Sequence, residues 1–163
     1  ARAEKFLDLG GMSIESFEVN HYPVVPAFGY RLRFDGRSVV LSGDTTFCES
    51  LLHAAEGADM LVCEAMNVPM LEMRRDALRF MGRDLQASLF ADIPSYHIPT
   101  GEVARLAKSA GVGKLVLSHL IPPIPNDGPE VQAFIQGMDE VFAGPIHVAR
   151  DAEHIPVPMR GTP

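Results

Sequence analysis

The 163-residue sequence contains no tryptophan, only two cysteines, and no apolar run approaching the ~20 residues that a membrane span needs. The sequence therefore predicts no membrane insertion. Cys48 and Cys63 are too few for a disulfide framework, and a reducing compartment such as the cytoplasm is the easier reading, although two thiols can pair in any compartment. Positive charge is also scarce, with 14 Lys and Arg against 21 Asp and Glu, a formal net charge of −7. That balance disfavours a protein that grips nucleic acid by neutralising phosphates, so nucleic acid is not the expected partner. The chain opens Ala1-Arg2-Ala3-Glu4, with neither an initiator Met nor a charged-then-apolar leader, and the expectation is that residues upstream were removed or never included. What remains is 47% hydrophobic and 21% charged. A chain of this length can bury roughly 70% of its unfolded surface, so residues 1–163 are expected to form one domain without disulfide staples.

Hydrophobic periodicity organises the chain as strands and helices of an α/β fold. Ile14 to Val19 alternates apolar and polar, the period of a half-buried strand, and Asn20-His21 follows as a polar stop. Phe28, Tyr30, Leu32 and Phe34 fall on one face of the next strand and Arg31 and Arg33 on the other. Asp35-Gly36 then supplies a positive-φ turn into a strand over 38–41. A short helix is predicted over 49–56 and a buried strand over 60–63. Pro69 to Phe90 should give one or two helices, with Pro at a first helical position. Thr100 is read as the cap of a helix ended by Gly111, and 114–118 as a strand of a sheet covered on both faces. Four prolines make 121–129 a loop. One amphipathic helix over 130–142, a last strand over 145–149 and a Pro-rich tail over 155–163 complete the order. There are no internal repeats, and the pattern is that of half a layered α/β sandwich.

Three strand ends carry a residue able to bind metal: His21, Asp44 in Ser42-Gly43-Asp44-Thr45, and His119 in Leu117-Ser118-His119-Leu120. Sheet ends fix such ligands while adjoining loops leave room for substrate; imidazole suits zinc, iron or nickel, and a carboxylate can bridge two cations. Taken singly, each histidine also fits a hydrogen-bonded core or surface residue, and Asp44 also fits a turn or cap.

Together they resemble the metallo-β-lactamase-fold hydrolases. The resemblance rests on Phe17-x-x-x-His21 followed by Ala27-Phe28-Gly29-Tyr30-Arg31, on Ser42-Gly43-Asp44-Thr45, on Ala58-Asp59-x-Leu61-Val62-x-Glu64-Ala65, on His97-x-x-Thr100-x-Glu102-Val103-Ala104, and on Lys114-Leu115-Val116-Leu117-Ser118-His119-Leu120. Within that superfamily the chain looks like the C-terminal half of the αββα sandwich, in the branch containing tRNA 3′-processing endonucleases and arylsulfatase-like enzymes. The resemblance implies that His21 ligates one metal, Asp44 bridges two, and His119 ligates the other. Zinc is the implied metal, with other divalent ions able to substitute. It also implies that His97 acts on the leaving group while Glu64 orients its imidazole. The implied substrate is a small molecule with an ester, sulfate, phosphate or lactone bond.

Two departures qualify the likeness. The superfamily's His-x-His-x-Asp-His string is absent from these residues, so the rest of the metal site is expected from a missing N-terminal half or a partner chain. Between Tyr30 and Asp44 only a tight hairpin stands where the tRNA-processing members carry a long RNA-gripping arm, leaving RNA 3′ processing as a minor reading. A non-catalytic oligomerisation or partner-binding module is the alternative from another class. Half a sandwich leaves an apolar sheet face uncovered, and the hairpin over 28–41 and the strand over 115–117 are expected to need a partner, so a homo-oligomer is predicted. His53, His147 and His154 carry no motif and are read as solvated or satisfied. Cys48 and Cys63 are read as small buried hydrophobes, and Met66, Met70, Met73 and Met81 as helix packing, an apolar lid or a subunit contact.

Overall fold

A tight β-turn sets the geometry of the sheet's antiparallel half. Asp35 and Gly36 have φ of 49° and 72°, the pair of positive values that a two-residue hairpin with right-handed twist requires. In this computed structural model, which describes residues 4–125 and 127–157, four antiparallel strands run in sequence order. They are β1 (Glu4–Leu9), β2 (Met12–His21), β3 (Val24–Phe34) and β4 (Arg37–Leu41). β5 (Met60–Met66), β6 (Leu115–Ile121) and β7 (Ile146–Val148) extend the same sheet in parallel from β4. Seven strands thus stand in the order in which the chain makes them.

One face of the sheet is built for helices. Phe17, Val19, Val40, Leu61, Cys63, Leu115 and Leu117 are buried there with Leu51 and Ala55 of α1 (Glu49–Ala55) and Val103, Ala104, Leu106 and Ala107 of α4 (Thr100–Ala110). Gly29 is needed where β3 crosses Phe17, because a Cβ would sit 2.4 Å from the Phe17 ring. Arg31 lies on this same face and caps the end of α1, donating to the Ala54 carbonyl at 2.8 Å. The other face carries Phe28, Tyr30, Leu32 and Phe34, as the alternation predicts, and Phe34 remains 57% exposed. His154 to Val157 run along this face, enclosing about 410 Å³ against Met12, Leu32, Phe34 and Val39. A bond from His147 Nε2 to Glu153 at 2.9 Å anchors that segment to β7. His147 and the Arg150 backbone N–H together hold the Glu153 carboxyl below its ordinary range. The Pro-rich tail expected over 155–163 is described only to Val157.

Several boundaries differ from the sequence reading. Asn20-His21 does not stop the first expected strand, since β2 runs through His21, and β1 carried no signal that set it apart. The 69–90 stretch is two helices, α2 (Val68–Phe80) and α3 (Asp84–Asp92), and Asn67 caps the first by accepting from Met70 N at 3.0 Å. Thr100 is the first residue of α4 rather than its cap, and Pro99 holds the cap position. The helix expected over 130–142 is broken into α5 (Pro129–Phe134) and α6 (Met138–Val141), because Gly137 adopts φ of 78° between them. The strand over 115–117 needs no partner, since Leu115, Val116 and Leu117 are all buried within the chain. The methionines divide: Met66 is fully buried, whereas Met73 and Met81 are exposed. Cys63 is buried as expected, while Cys48 is only half-buried. Among the described residues no helix is long and apolar enough to cross a membrane.

Candidate metal and acid–base site

The functional side chains meet where the C-terminal ends of β2, β4, β5 and β6 come together. His21 is the last residue of β2, and its Nδ1 donates to the Tyr96 carbonyl at 2.8 Å. A carbonyl can only accept, so Nδ1 carries a proton and, in the neutral ring, Nε2 is the nitrogen with the lone pair. Asp44 follows β4 on a loop that only glycine can begin in this form. Gly43 has φ of +64° and a Cβ there would meet the Phe28 carbonyl oxygen at 2.6 Å. The next residue, Thr45, is fully buried and stitches the loop to its neighbours: its N–H donates to Glu64 Oε1 at 2.8 Å and its Oγ1 accepts from Asn20 N at 3.1 Å.

Glu64 lies within β5 and is 2% exposed. Its backbone N–H donates to Ser42 Oγ at 3.1 Å, and its Oε1 accepts from both Thr45 and His97 Nδ1, each at 2.8 Å. The other oxygen, Oε2, is buried without a hydrogen-bond partner among the described residues. His97 is 7% exposed on the loop before α4. With Nδ1 committed to Glu64, Nε2 is its only free ring nitrogen.

His119 reaches the cluster through a distortion. Glu64 pairs with Ser118 and Ala65 with Leu120, so His119 is the extra residue of a β-bulge, at φ of 44°. Bulges re-aim a side chain, and histidine tolerates the left-handed region better than most residues. The strand expected over 114–118 continues to Ile121, with His119 inside it. The His119 Nε2 lies 3.6 Å from Asp44 Oδ2.

All five expected residues are therefore together. His21, Asp44 and His97 each place a ligand-type atom within 4.8 Å of the others. The His97 ring centroid is 5.1 Å from that of His21 and 5.6 Å from that of His119. Imidazole and carboxylate donors so spaced fit a divalent cation, and the locked His21 tautomer presents the nitrogen such an ion would need. Sequence reasoning missed Tyr96, which holds His21 and packs edge-on against its ring at 5.4 Å, and the support given by Ser42 and Thr45. Tyr96 had only its adjacency to His97 as a sequence signal, while Ser42 and Thr45 flank Asp44 in the motif Ser42-Gly43-Asp44-Thr45. Cys63, next to Glu64, takes no part: burial pushes its thiol up to about 12.

A sheet of this order, with helices on one face and a histidine–carboxylate cluster at its strand ends, is the metallo-β-lactamase fold. The metallo-β-lactamase fold protein YhfI from Bacillus subtilis aligns with a TM-score of 0.62 and 24% identity over 88% of this chain and 49% of that one. Human short-form tRNase Z aligns with a TM-score of 0.56 and 17% identity over 96% of this chain and 48% of that one. In sequence, the chain is 37% identical over 153 residues to the ribonuclease Z of Mycobacterium tuberculosis H37Rv, covering 94% of this chain and 51% of the relative. The chain spans about half the length of the curated relatives it matches. No protein-family model matches it.

Proposed function

We infer that the chain supplies the acid–base dyad and part of the ligand set of a metal-dependent hydrolase acting on a small ester, sulfate, phosphate or lactone. The observation carrying this reading is the buried Glu64–His97 pair, whose free Nε2 faces the side where His21, Asp44 and His119 converge. Glu64 keeps a proton on Nδ1, so His97 exchanges protons with substrate through Nε2. Tyr96 and Thr45 keep His21 and Glu64 from turning, which preserves the attack geometry. His21 and His119 would each hold one zinc, with Asp44 between the two. Bound there, the metal would acidify water and polarise the scissile bond. The remaining ligands would come from a His-x-His-x-Asp-His segment outside these residues, or from a partner chain.

A second reading, RNA 3′ processing, is favoured by one observation: the M. tuberculosis relative at 37% identity is named ribonuclease Z. That gives RNA cleavage more support than the net charge of −7 and the tight 35–36 turn alone would allow. The two readings part in one experiment on the zinc-loaded full-length gene product, assayed against p-nitrophenyl phosphodiesters, sulfates and esters and against a 3′-extended tRNA precursor. Turnover of the small substrates with intact precursor supports the first reading. Cleavage of the precursor at a defined 3′ position, with slow turnover of every small substrate, replaces it with the second. No turnover with metal bound leaves the non-catalytic module.

A further inference from the structure

The cleft beside the imidazoles has walls whose chemistry goes beyond a generic hydrolase. About 640 Å³ opens between the end of α3 with its following 3₁₀ turn (Ile93–Ser95) and the chain that leaves β6. Phe90, Ile93 and Tyr96 form one side, Leu120 and Ile124 the other, and His97 and His119 are reached at its end. Among the described lining residues there is no lysine or arginine, and the single carboxylate is Asp151.

These walls are fixed in place. Phe90 and Ile93 pack on the buried Met66, Leu71 and Ile121. Arg74 Nη2 donates to the Pro123 carbonyl at 2.7 Å, tying α2 to the opposite wall. The volume falls within the roughly 300–1,000 Å³ typical of small-ligand pockets, which are mostly apolar with a few convergent polar groups. A nucleic-acid strand threaded along such walls would meet no lysine or arginine among the described lining residues to hold its phosphates.

We propose that this cleft is the subsite for a bulky uncharged group, aryl or branched alkyl, which the substrate carries next to its scissile bond. The proposal rests on the hydrolase reading and names its substrate class. Seating that group against Ile93 and Ile124 removes apolar surface from water and sets the bond to be cleaved against the His97 and His119 imidazoles.

The test compares methylphosphonate with benzylphosphonate by titration calorimetry on the zinc-loaded full-length protein. The two share a charged head and differ by a phenyl group. Benzylphosphonate should bind about 30-fold more tightly, the ratio expected for burying one aromatic ring. Ile93→Thr should reduce that ratio to about threefold or less while leaving methylphosphonate affinity unchanged, because only apolar contact is lost. Ile124→Thr, on a loop, should do the same, and it carries the test if the Ile93 variant melts at a much lower temperature. Equal affinity for the two phosphonates overturns the proposal, as does a preference that survives both substitutions. Binding is read without turnover: a protein that shows the preference yet cleaves no ester keeps the subsite and loses the hydrolase reading, and turnover without the preference does the reverse.

Discussion

His97 Nδ1 and the Thr45 backbone N–H converge on the same oxygen of Glu64, each at 2.8 Å, deep beneath a cluster that otherwise faces solvent. One carboxylate oxygen thereby couples the loop carrying Asp44 to the loop carrying His97. Position and proton inventory are set by the same contact.

Glu64→Gln tests that coupling. An amide oxygen can still accept from Thr45, but it carries no charge to balance a protonated imidazole. Turnover in the full-length enzyme should fall by about 10²-fold, within the range for general acid–base groups, with metal content unchanged. Glu64→Ala should also lose about 1–3 kcal/mol of stability, because the buried Thr45 N–H is left without an acceptor. Kinetics with elemental analysis checks the first and thermal melting the second.

Gly43 and Gly36 both have positive φ, yet they should not respond alike to alanine. At Gly36 an added Cβ meets nothing within 4 Å, so only the left-handed backbone is penalised, by about 1–2 kcal/mol. At Gly43 the same Cβ would stand 2.6 Å from the Phe28 carbonyl, a backbone atom that cannot swing aside. Gly43→Ala should therefore lower the melting temperature further than Gly36→Ala and displace Asp44.

The face bearing Phe28, Tyr30 and Phe34 should drive self-association of the 163-residue chain on its own. These rings are 44%, 37% and 57% exposed, and the segment over 154–157 covers only the end near Phe34. Contiguous apolar surface of this kind marks an interface. Sedimentation velocity should show a concentration-dependent larger species that the double change Tyr30→Lys and Phe34→Lys diminishes. A monomer at high protein concentration, before any substitution, would count against the homo-oligomer.

How far the sequence was legible depends on whether the physics was local. The 35–36 turn, the two faces of β3 and the Gly111 end of α4 were readable because alternation and positive φ are properties of a few adjacent residues. The break at Gly137 was not, since a glycine within an apolar-periodic stretch can be tolerated or can end a helix, and neighbouring packing decides. At the site, His21, Asp44 and His119 stood out by their places at strand ends, whereas Glu64 and His97 were named only through resemblance to a family, which also supplied every role. Their supports were invisible: nothing in Tyr96 or Thr45 announces that a backbone carbonyl or N–H, rather than a side chain, will hold the cluster.

The structure sets His21, Asp44 and His97 together within 4.8 Å, while the proposed roles make His119, not His97, the third ligand. Hydrogen bonding to a carboxylate does not decide between them, because metal-bound histidines commonly donate their other nitrogen in the same way. Substitution does. Asp44→Ala removes a carboxylate that would serve both cations, so zinc content and activity of the full-length protein should fall together. His119→Ala should lower zinc content as well. His97→Ala should keep its zinc and lose roughly 10²–10⁴ in turnover, the loss expected for a proton donor that touches no metal. If His97→Ala emptied the site and His119→Ala left it full, the ligand set would be His21, Asp44 and His97, and the acid–base role would pass from the Glu64-held imidazole to the one on the β6 bulge.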